Sequence, residues 1–403
     1  MNNVSLTSDN LSQVALSIGT PVSVIMPVRN EERHLAEAVR RVLAQDYPAG
    51  IEVVLAVGPS SDATARIARE LAAADSRVTV VDNPSGRIPA ANNAAIKASR
   101  FPIVARVDGH ALIPPGYLRL AVQTLADTGA DDVGGVMAAE GVTPFEQAVA
   151  WAMTSPTGVG RAAFHTGGQT GPADTVYLGV YRRVALERVG GYDEGYQRAE
   201  DWEMNHRIRQ AGGLVWFEPR LKVTYRPRGS VRALAVQYFN YGRWRRVVSR
   251  EHPGTVNLRY LAPPAAVLAM AGGLAAGTAG LAAALAGPAG GPGPGGPGLA
   301  WLMTGFVVPA AYLAGLLGVT GVAARKLPGR ALARLPAALI TMHVCWGTGF
   351  LTSPRRLLPG RAGPGRARPG RPSRAERPPV TAGTSRRARR GAAPPRRRGP
   401  VGR

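Results

Sequence analysis

Residues 21–229 of this sequence are predicted to form an α/β domain that opens as a parallel unit, with apolar segments and a basic tail behind it. Two observations predict the domain. Apolar runs at residues 22–26, 51–57, 78–81 and 103–107 are continuous rather than alternating, as in strands covered on both faces. Between them, apolar residues recur at helical spacing, as at Leu35, Val39, Val42 and Leu43. A third observation marks where the domain stops. From Tyr260 to Ala324 there is no Asp, Glu, Lys or Arg, while residues 354–403 hold sixteen Arg and one acid, Glu376. That tail supplies +15 of the formal net charge of +23, so the charge says little about the domain itself.

Residues 1–20 form an extension with no basic start and no apolar run. No cleavable export signal is therefore expected, and the soluble part is expected in the cytoplasm. In open sheets of this kind, ligands bind beyond the carboxyl ends of strands. That singles out PVRNEE (27–32) after the first strand and DGHA (108–111) after the fourth. Further strands and at least two helices follow over 131–228. One helix is AEDWEMNHRIRQAGG (199–213), with Arg207 and Arg209 in its last turn and Gly212 and Gly213 as its stop.

Residues 230–259 are predicted as a basic, aromatic-rich amphipathic helix on which Val231, Leu234, Ala235, Tyr238 and Tyr241 share a face. The expectation is a helix lying in a membrane interface; packing on the α/β domain is the alternative. Residues 260–353 hold the membrane segments. The stretches 265–287 and 299–324 each exceed the about 20 residues that cross a bilayer core. A Gly/Pro-rich stretch, 287–298, separates them. A third stretch, 335–353, is shorter and carries His343. The basic loop after the second segment and the tail should both face the cytoplasm, which favours two spans and a third segment that does not cross. The tail, 354–403, is expected to be disordered. The single cysteine, Cys345, excludes a disulfide framework and any Cys-based metal site.

Two clusters could carry chemistry. Asp108 and His110 leave a buried-type strand and could hold a divalent ion, or be no more than a turn-initiating Asp and a surface His. Glu200, Asp201 and Glu203 crowd a helix start, where acids also stabilise the helix dipole by ~0.3–1 kcal/mol each. Trp202 among them suits a base beside a stacking aromatic.

Five motifs in order carry a resemblance: VSVIMPVRNEE (22–32), NPSGRIPAANNAAI (83–96), RVDGHA (106–111), YLGVYRR with GGYDE (177–194), and RAEDWEMNHRIRQAGG (198–213). Over about residues 21–244 the chain resembles a family 2 inverting glycosyltransferase of the GT-A fold, within the succinoglycan-type glucosyltransferase group. The resemblance implies a nucleotide-sugar donor, a divalent metal (Mg²⁺ or Mn²⁺), a lipid-linked or glycan acceptor, and attachment to the cytoplasmic membrane. It implies that Pro27, Arg29 and Glu31 line the nucleotide pocket and that Arg87 and Asn93 reach the nucleotide or its phosphates. Asp108 would hold the metal, with His110 where the second acid of a D-x-D motif usually stands. Asp201 would be the general base. Trp202 would stack beside it, and Arg243 and Trp244 resemble the end of a Q-x-x-R-W motif that contacts acceptor and diphosphate.

Three departures matter. Where relatives carry V-D-D-G-S-T-D-G-T, this chain has VGPSSDAT, leaving Asp62 as the remaining acid for the nucleotide. Asn240 replaces the Gln of Q-x-x-R-W, and His110 replaces an acid. Two other readings compete. A nucleotidyltransferase also uses a metal at the edge of an α/β sheet, but usually has a Gly-rich loop after strand one, which PVRNEE lacks. The tail could bind nucleic acid or anionic lipid. It has no aromatic residue for base stacking, so attraction to an anionic leaflet is the expectation and specific nucleic-acid binding is not.

Overall fold

The computed structural model describes residues 16–160, 162–285 and 300–357. The expectations for most of the extension, for the whole 287–298 stretch and for nearly all of the tail lie outside these residues.

The first half of the domain is a repeated strand–helix unit. β1 (Val22–Val28), β2 (Ile51–Val57), β3 (Val78–Asp82) and β4 (Ile103–Arg106) run parallel. They match the four apolar runs. The crossovers are α1 (Leu35–Leu43), α2 (Thr64–Ala74) and α3 (Ile88–Ala98). Alternate residues of β1 serve two core layers. Val24 and Met26 pack with Leu35 and Val39 of α1, while Ile25 packs with Ala91 and Ala95 of α3. Covering on both faces is why these strands are apolar without alternation.

The second half is mixed. α4 (Tyr117–Thr128) leads to β5 (Asp132–Ala139), followed by α5 (Pro144–Met153) and a two-residue edge strand, β6 (Gly171–Pro172). β7 (Tyr177–Arg182) inserts antiparallel between β4 and β5. α6 (Arg183–Val189) and α7 (Glu200–Gln210) precede β8 (Val215–Tyr225), which is parallel to β5. The sheet order is β3-β2-β1-β4-β7-β5-β8-β6. Strand order switches at β1, with β2 on one side and β4 on the other, which opens a crevice at the carboxyl ends of β1 and β4. PVRNEE and DGHA sit there.

Beyond β8 come α8 (Val231–Glu251), α9 (Leu258–Leu285), α10 (Val307–Ala323) and α11 (Leu335–Thr352). Three helical stretches, Leu258–Leu285, Trp301–Ala323 and Gly329–Thr352, are long and apolar enough to cross a membrane. They differ in one respect. In the third, 39% of the apolar stretch is buried inside the protein, against 17% and 11% in the other two.

The reason is a seam with α8. Leu234, Tyr238, Val247 and Val248 of α8 are buried, and one apolar cluster joins α5, α8 and α11 through Val149, Leu234, Tyr238, Leu339 and Met342. A Cβ on Gly242 would fall 1.9 Å from the carbonyl oxygen of Trp346, and one on Gly349 would fall 2.1 Å from that of Phe239. Only glycine permits this approach. The buried face of α8 is thus covered by α11, while Val231, expected on that face, is exposed. His343 is accounted for as well: Nε2 lies 2.8 Å from the Thr157 carbonyl and Nδ1 lies 3.1 Å from the Tyr312 hydroxyl.

Candidate active site

β4 ends on Arg106, a charged residue closing an apolar strand and itself buried. Its guanidinium organises the crevice. Nη1 donates to Asp201, and Nε and Nη2 donate to Asp108 Oδ1 at 3.2 and 3.1 Å. Glu200 Oε1 stands 3.7 Å from Nη1. The strand-end acid and the helix-start acids therefore share one cation. Burial alone would lower the pKa of Arg106. The charges of Asp201, Asp108 and Glu200 outweigh it and hold the guanidinium protonated.

The three acids of the α7 start are not equivalent. Glu203 is 3% exposed and is committed to Arg207 at 2.7 and 2.8 Å. Glu200 is 9% exposed, and burial, with the charge of Asp201, pushes its carboxyl up to about 7. Asp201 is 32% exposed and is the acid a ligand can reach. Burial raises its pKa too, against the pull of Arg106. Behind it lies Asp132, fully buried; burial and the charge of Asp201 push this carboxyl well above the usual range. The backbone entering α7 is strained: Ala199 sits at φ 63°. A non-glycine residue there costs about 1–3 kcal/mol, a cost typical of functional sites.

On the β1 side, Asn30 also takes a left-handed conformation, φ 56°, and its Oδ1 accepts from the Ser61 N–H at 2.9 Å. Glu31 Oε1 lies 2.7 Å from His110 Nδ1, and this hydrogen bond pushes the His110 pKa up. Glu31 and His110 therefore act as a pair across the crevice mouth. The hydrogen bonds at Asp108 fall on Oδ1, which leaves Oδ2 for a ligand. Among the described residues, no three His, Cys, Asp or Glu side chains gather as a metal cage. Asp108 Oδ2 and His110 Nε2 nonetheless fit a divalent ion that takes the rest of its shell from a bound diphosphate and water.

Similarity to known proteins points to one family. A family model described as glycosyl transferase family 2 matches residues 23–190. The succinoglycan biosynthesis protein ExoA of Rhizobium meliloti (strain 1021) is 32% identical over 260 residues, spanning 64% of this chain and 77% of that protein. The chain belongs to glycosyltransferase family 2. A Methanococcus voltae enzyme, dolichyl N-acetyl-alpha-D-glucosaminyl phosphate 3-beta-D-2,3-diacetamido-2,3-dideoxy-beta-D-glucuronosyltransferase, is 22% identical over 251 residues, 60% of this chain and 77% of its own. Among solved structures, the mannosyltransferase PcManGT from Pyrobaculum calidifontis in complex with GDP-Man and Mn²⁺ is similar at 22% identity and a TM-score of 0.48, covering 84% of this chain and 91% of that one. Family membership makes the α/β domain of this glycosyltransferase, with its eight-stranded sheet, GT-A-like.

The remaining expected residues divide. Pro27 lies in β1, paired with Ala56, and Arg29 Nε donates to the Pro59 carbonyl at 3.1 Å, so both line the loop above β1 and β2. Asp62 accepts from the Thr64 hydroxyl and N–H at 2.6 and 3.0 Å, which holds its carboxyl below the usual range at the start of α2. Asn93 has both ends of its amide engaged: Oδ1 accepts from Tyr192 N–H at 2.9 Å, and Nδ2 donates to Tyr192 O at 2.8 Å. With Arg87, whose Nη1 reaches Glu194 O at 3.4 Å, it grips the GGYDE loop rather than the crevice.

Trp202 is buried, with its ring stacked on His206 and covered by Arg245, so it offers no open face for stacking. Trp244 is buried against Tyr196, and Arg243 lies over Phe239. Among the described residues no hydrogen bond or ion pair joins Arg243 or Trp244 to Asp108 or Asp201. The residue sequence reasoning passed over is Arg106. Its signal was present, a lone charge inside the apolar run IVARV.

Proposed function

We propose that this glycosyltransferase is an inverting enzyme anchored in a bacterial cytoplasmic membrane. It moves a sugar from a nucleoside-diphosphate sugar to a lipid-linked or polysaccharide acceptor, in cell-envelope or exopolysaccharide synthesis. The observation that carries this reading is Asp201, the reachable acid of the α7 start, held by Arg106 opposite Asp108. The apolar helices that follow α8 support the anchor, and the printed names of the relatives support the substrate classes.

In this reading the acceptor hydroxyl gives its proton to Asp201. Its oxygen forms a bond to the anomeric carbon from the face opposite the diphosphate. The bond from that carbon to the diphosphate oxygen breaks, the configuration inverts, and the nucleoside diphosphate leaves with the bonding pair. Arg106 orients Asp201 and favours its ionised form. Asp108 and His110 would hold a divalent ion, which when bound neutralises charge on the leaving diphosphate. Glu31, bonded to Nδ1 of His110, fixes the ring so that Nε2 is the free nitrogen.

The test is a screen of nucleotide-sugars against the full-length protein in detergent, following nucleotide release with and without Mg²⁺ or Mn²⁺. Release of nucleoside diphosphate with one donor is expected. Release of pyrophosphate would instead make the protein a nucleotidyltransferase.

A further inference from the structure

Where α8 meets the start of α9, two cations share one aromatic ring and, among the described residues, neither forms an ion pair. The guanidinium of Arg245 lies between two aromatic rings, 4.6 Å from the Trp202 centroid and 4.3 Å from that of Tyr260. Arg259 shares the second ring at 4.7 Å and donates from Nη2 to the Tyr260 hydroxyl. Neither has a carboxylate partner among the described residues. A nearby acid, Asp174, is spent on Arg209 at 3.4 Å.

Donors are left over. Arg245 Nη1, Arg259 Nε and Trp202 Nε1 are shielded from solvent and make no hydrogen bond, and neither does His165 Nδ1, a donor in one tautomer only. Burial, with Arg259 as neighbour, pushes His165 down to about 4, and burial lowers Arg245 as well. Both arginines are half-buried, and aromatic faces return only part of what their shielded nitrogens lose on leaving water. Unpaired donors around two like charges are the mark of a missing anion.

The position narrows the anion's source. Arg259 is the second residue of α9, the first helix long enough to cross a membrane, and its neighbour Leu258 is 85% exposed. With α9 in a bilayer, Arg259 stands at headgroup depth.

We propose that Arg245 and Arg259 form a binding site for the phosphate of a lipid, with Arg245 Nη1 and Arg259 Nε donating to its oxygens on the Trp202–Tyr260 platform. The site rests on the membrane reading of α9 and adds a ligand class to it. Trp202 follows Asp201 in the chain, so the platform and the proposed base are carried by the same helix.

The experiment uses full-length protein in neutral detergent, titrated with phosphatidic acid, diacylglycerol and inorganic phosphate, with tryptophan fluorescence as the readout. Phosphatidic acid is expected to bind, and diacylglycerol is not. Arg245→Gln and Arg259→Gln should each weaken phosphatidic acid at least tenfold. Arg245→Lys, which keeps the charge without the two-pronged donor, should fall between. Lys326→Gln, which removes an exposed charge elsewhere, should bind as the native protein does. Raising salt should suppress any contribution from the Arg-rich tail and leave the difference between native and variant proteins.

Unchanged phosphatidic acid binding in both Gln variants would overturn the proposal. So would inorganic phosphate competing as tightly as the lipid, since the source would then be a free anion. The melting temperature of each variant without lipid reports its fold, and Arg245→Lys keeps the proposal testable if a Gln variant unfolds. The titration needs no sugar donor, so failure of the transferase reading and failure of this site are separate outcomes.

Discussion

In the proposed mechanism Asp201 and Arg106 divide one task between them: the carboxylate accepts a proton, and the guanidinium holds it ready. Asp201→Asn keeps the shape and removes the basicity. Turnover should fall by about 10²–10⁴ while nucleotide binding stays near native, measured by single-turnover kinetics and nucleotide titration. Because burial raises the Asp201 pKa, activity should climb with pH through a limb above the ordinary carboxylate range. Arg106→Gln removes a cation that pulls this pKa down, so its limb should move to higher pH; superimposable pH–rate profiles would refute the pairing. Glu200 makes a separate prediction. Its folded-state pKa of about 7 lies above its ordinary 4.5, so the folded protein holds a proton that the unfolded chain releases. Stability at this site is full below about 4.5 and declines as pH rises toward 7, and Glu200→Gln should flatten that slope in urea melts. Asp108→Ala should weaken donor binding as well as rate, and full activity of the native enzyme in excess chelator would remove the metal from the account. Asp108 was legible as an acid leaving a buried-type strand, and Asp201 as one of three acids at a helix start; the family resemblance singled out Asp201 among them. Arg106 and Asn93 were not, because which way a side chain turns at a strand end or helix face is set by packing with segments about a hundred residues away.

The parallel strands were legible for a different reason: β1, β2 and β4 are covered on both faces and are mostly apolar, while β3 at the sheet edge is half-exposed. The antiparallel insertion of β7 between β4 and β5 was not, because strand order depends on which neighbour wins the pairing and leaves no local mark. α8 was read as a helix for a membrane surface, and the helix is there. Its cover came from a segment about a hundred residues later, and the glycines that permit the contact look like ordinary flexibility in a Gly-rich chain. Gly242→Val should force α8 and α11 apart. A loss of about 1–3 kcal/mol is expected, read as a lower melting temperature with nucleotide binding intact at low temperature.

For the chain as a whole, the topology of the membrane segments is the open quantity, and the burial of α11 bears on it. A helix with its apolar stretch 39% inside the protein has less surface to give to lipid than α9 or α10. Two crossings and a third segment held against the α/β domain would keep the tail on the side of the crevice. A reporter fused after Arg403 should then read as cytoplasmic and one placed within 288–298 as external. Labelling of the tail from outside intact cells would establish three crossings.

The close approach of Gly242 to Trp346 also decides where this protein can be cut. Composition invites a truncation before Leu258, which would discard every uncharged segment and keep the motifs. That fragment would lose α11 from against Val149, Leu234 and Tyr238, leaving a greasy furrow open along α8. Such a fragment should be recovered as aggregate rather than as a soluble enzyme, whatever its catalytic residues. The α/β domain and α11 are one folding unit, and neither can be borrowed without the other.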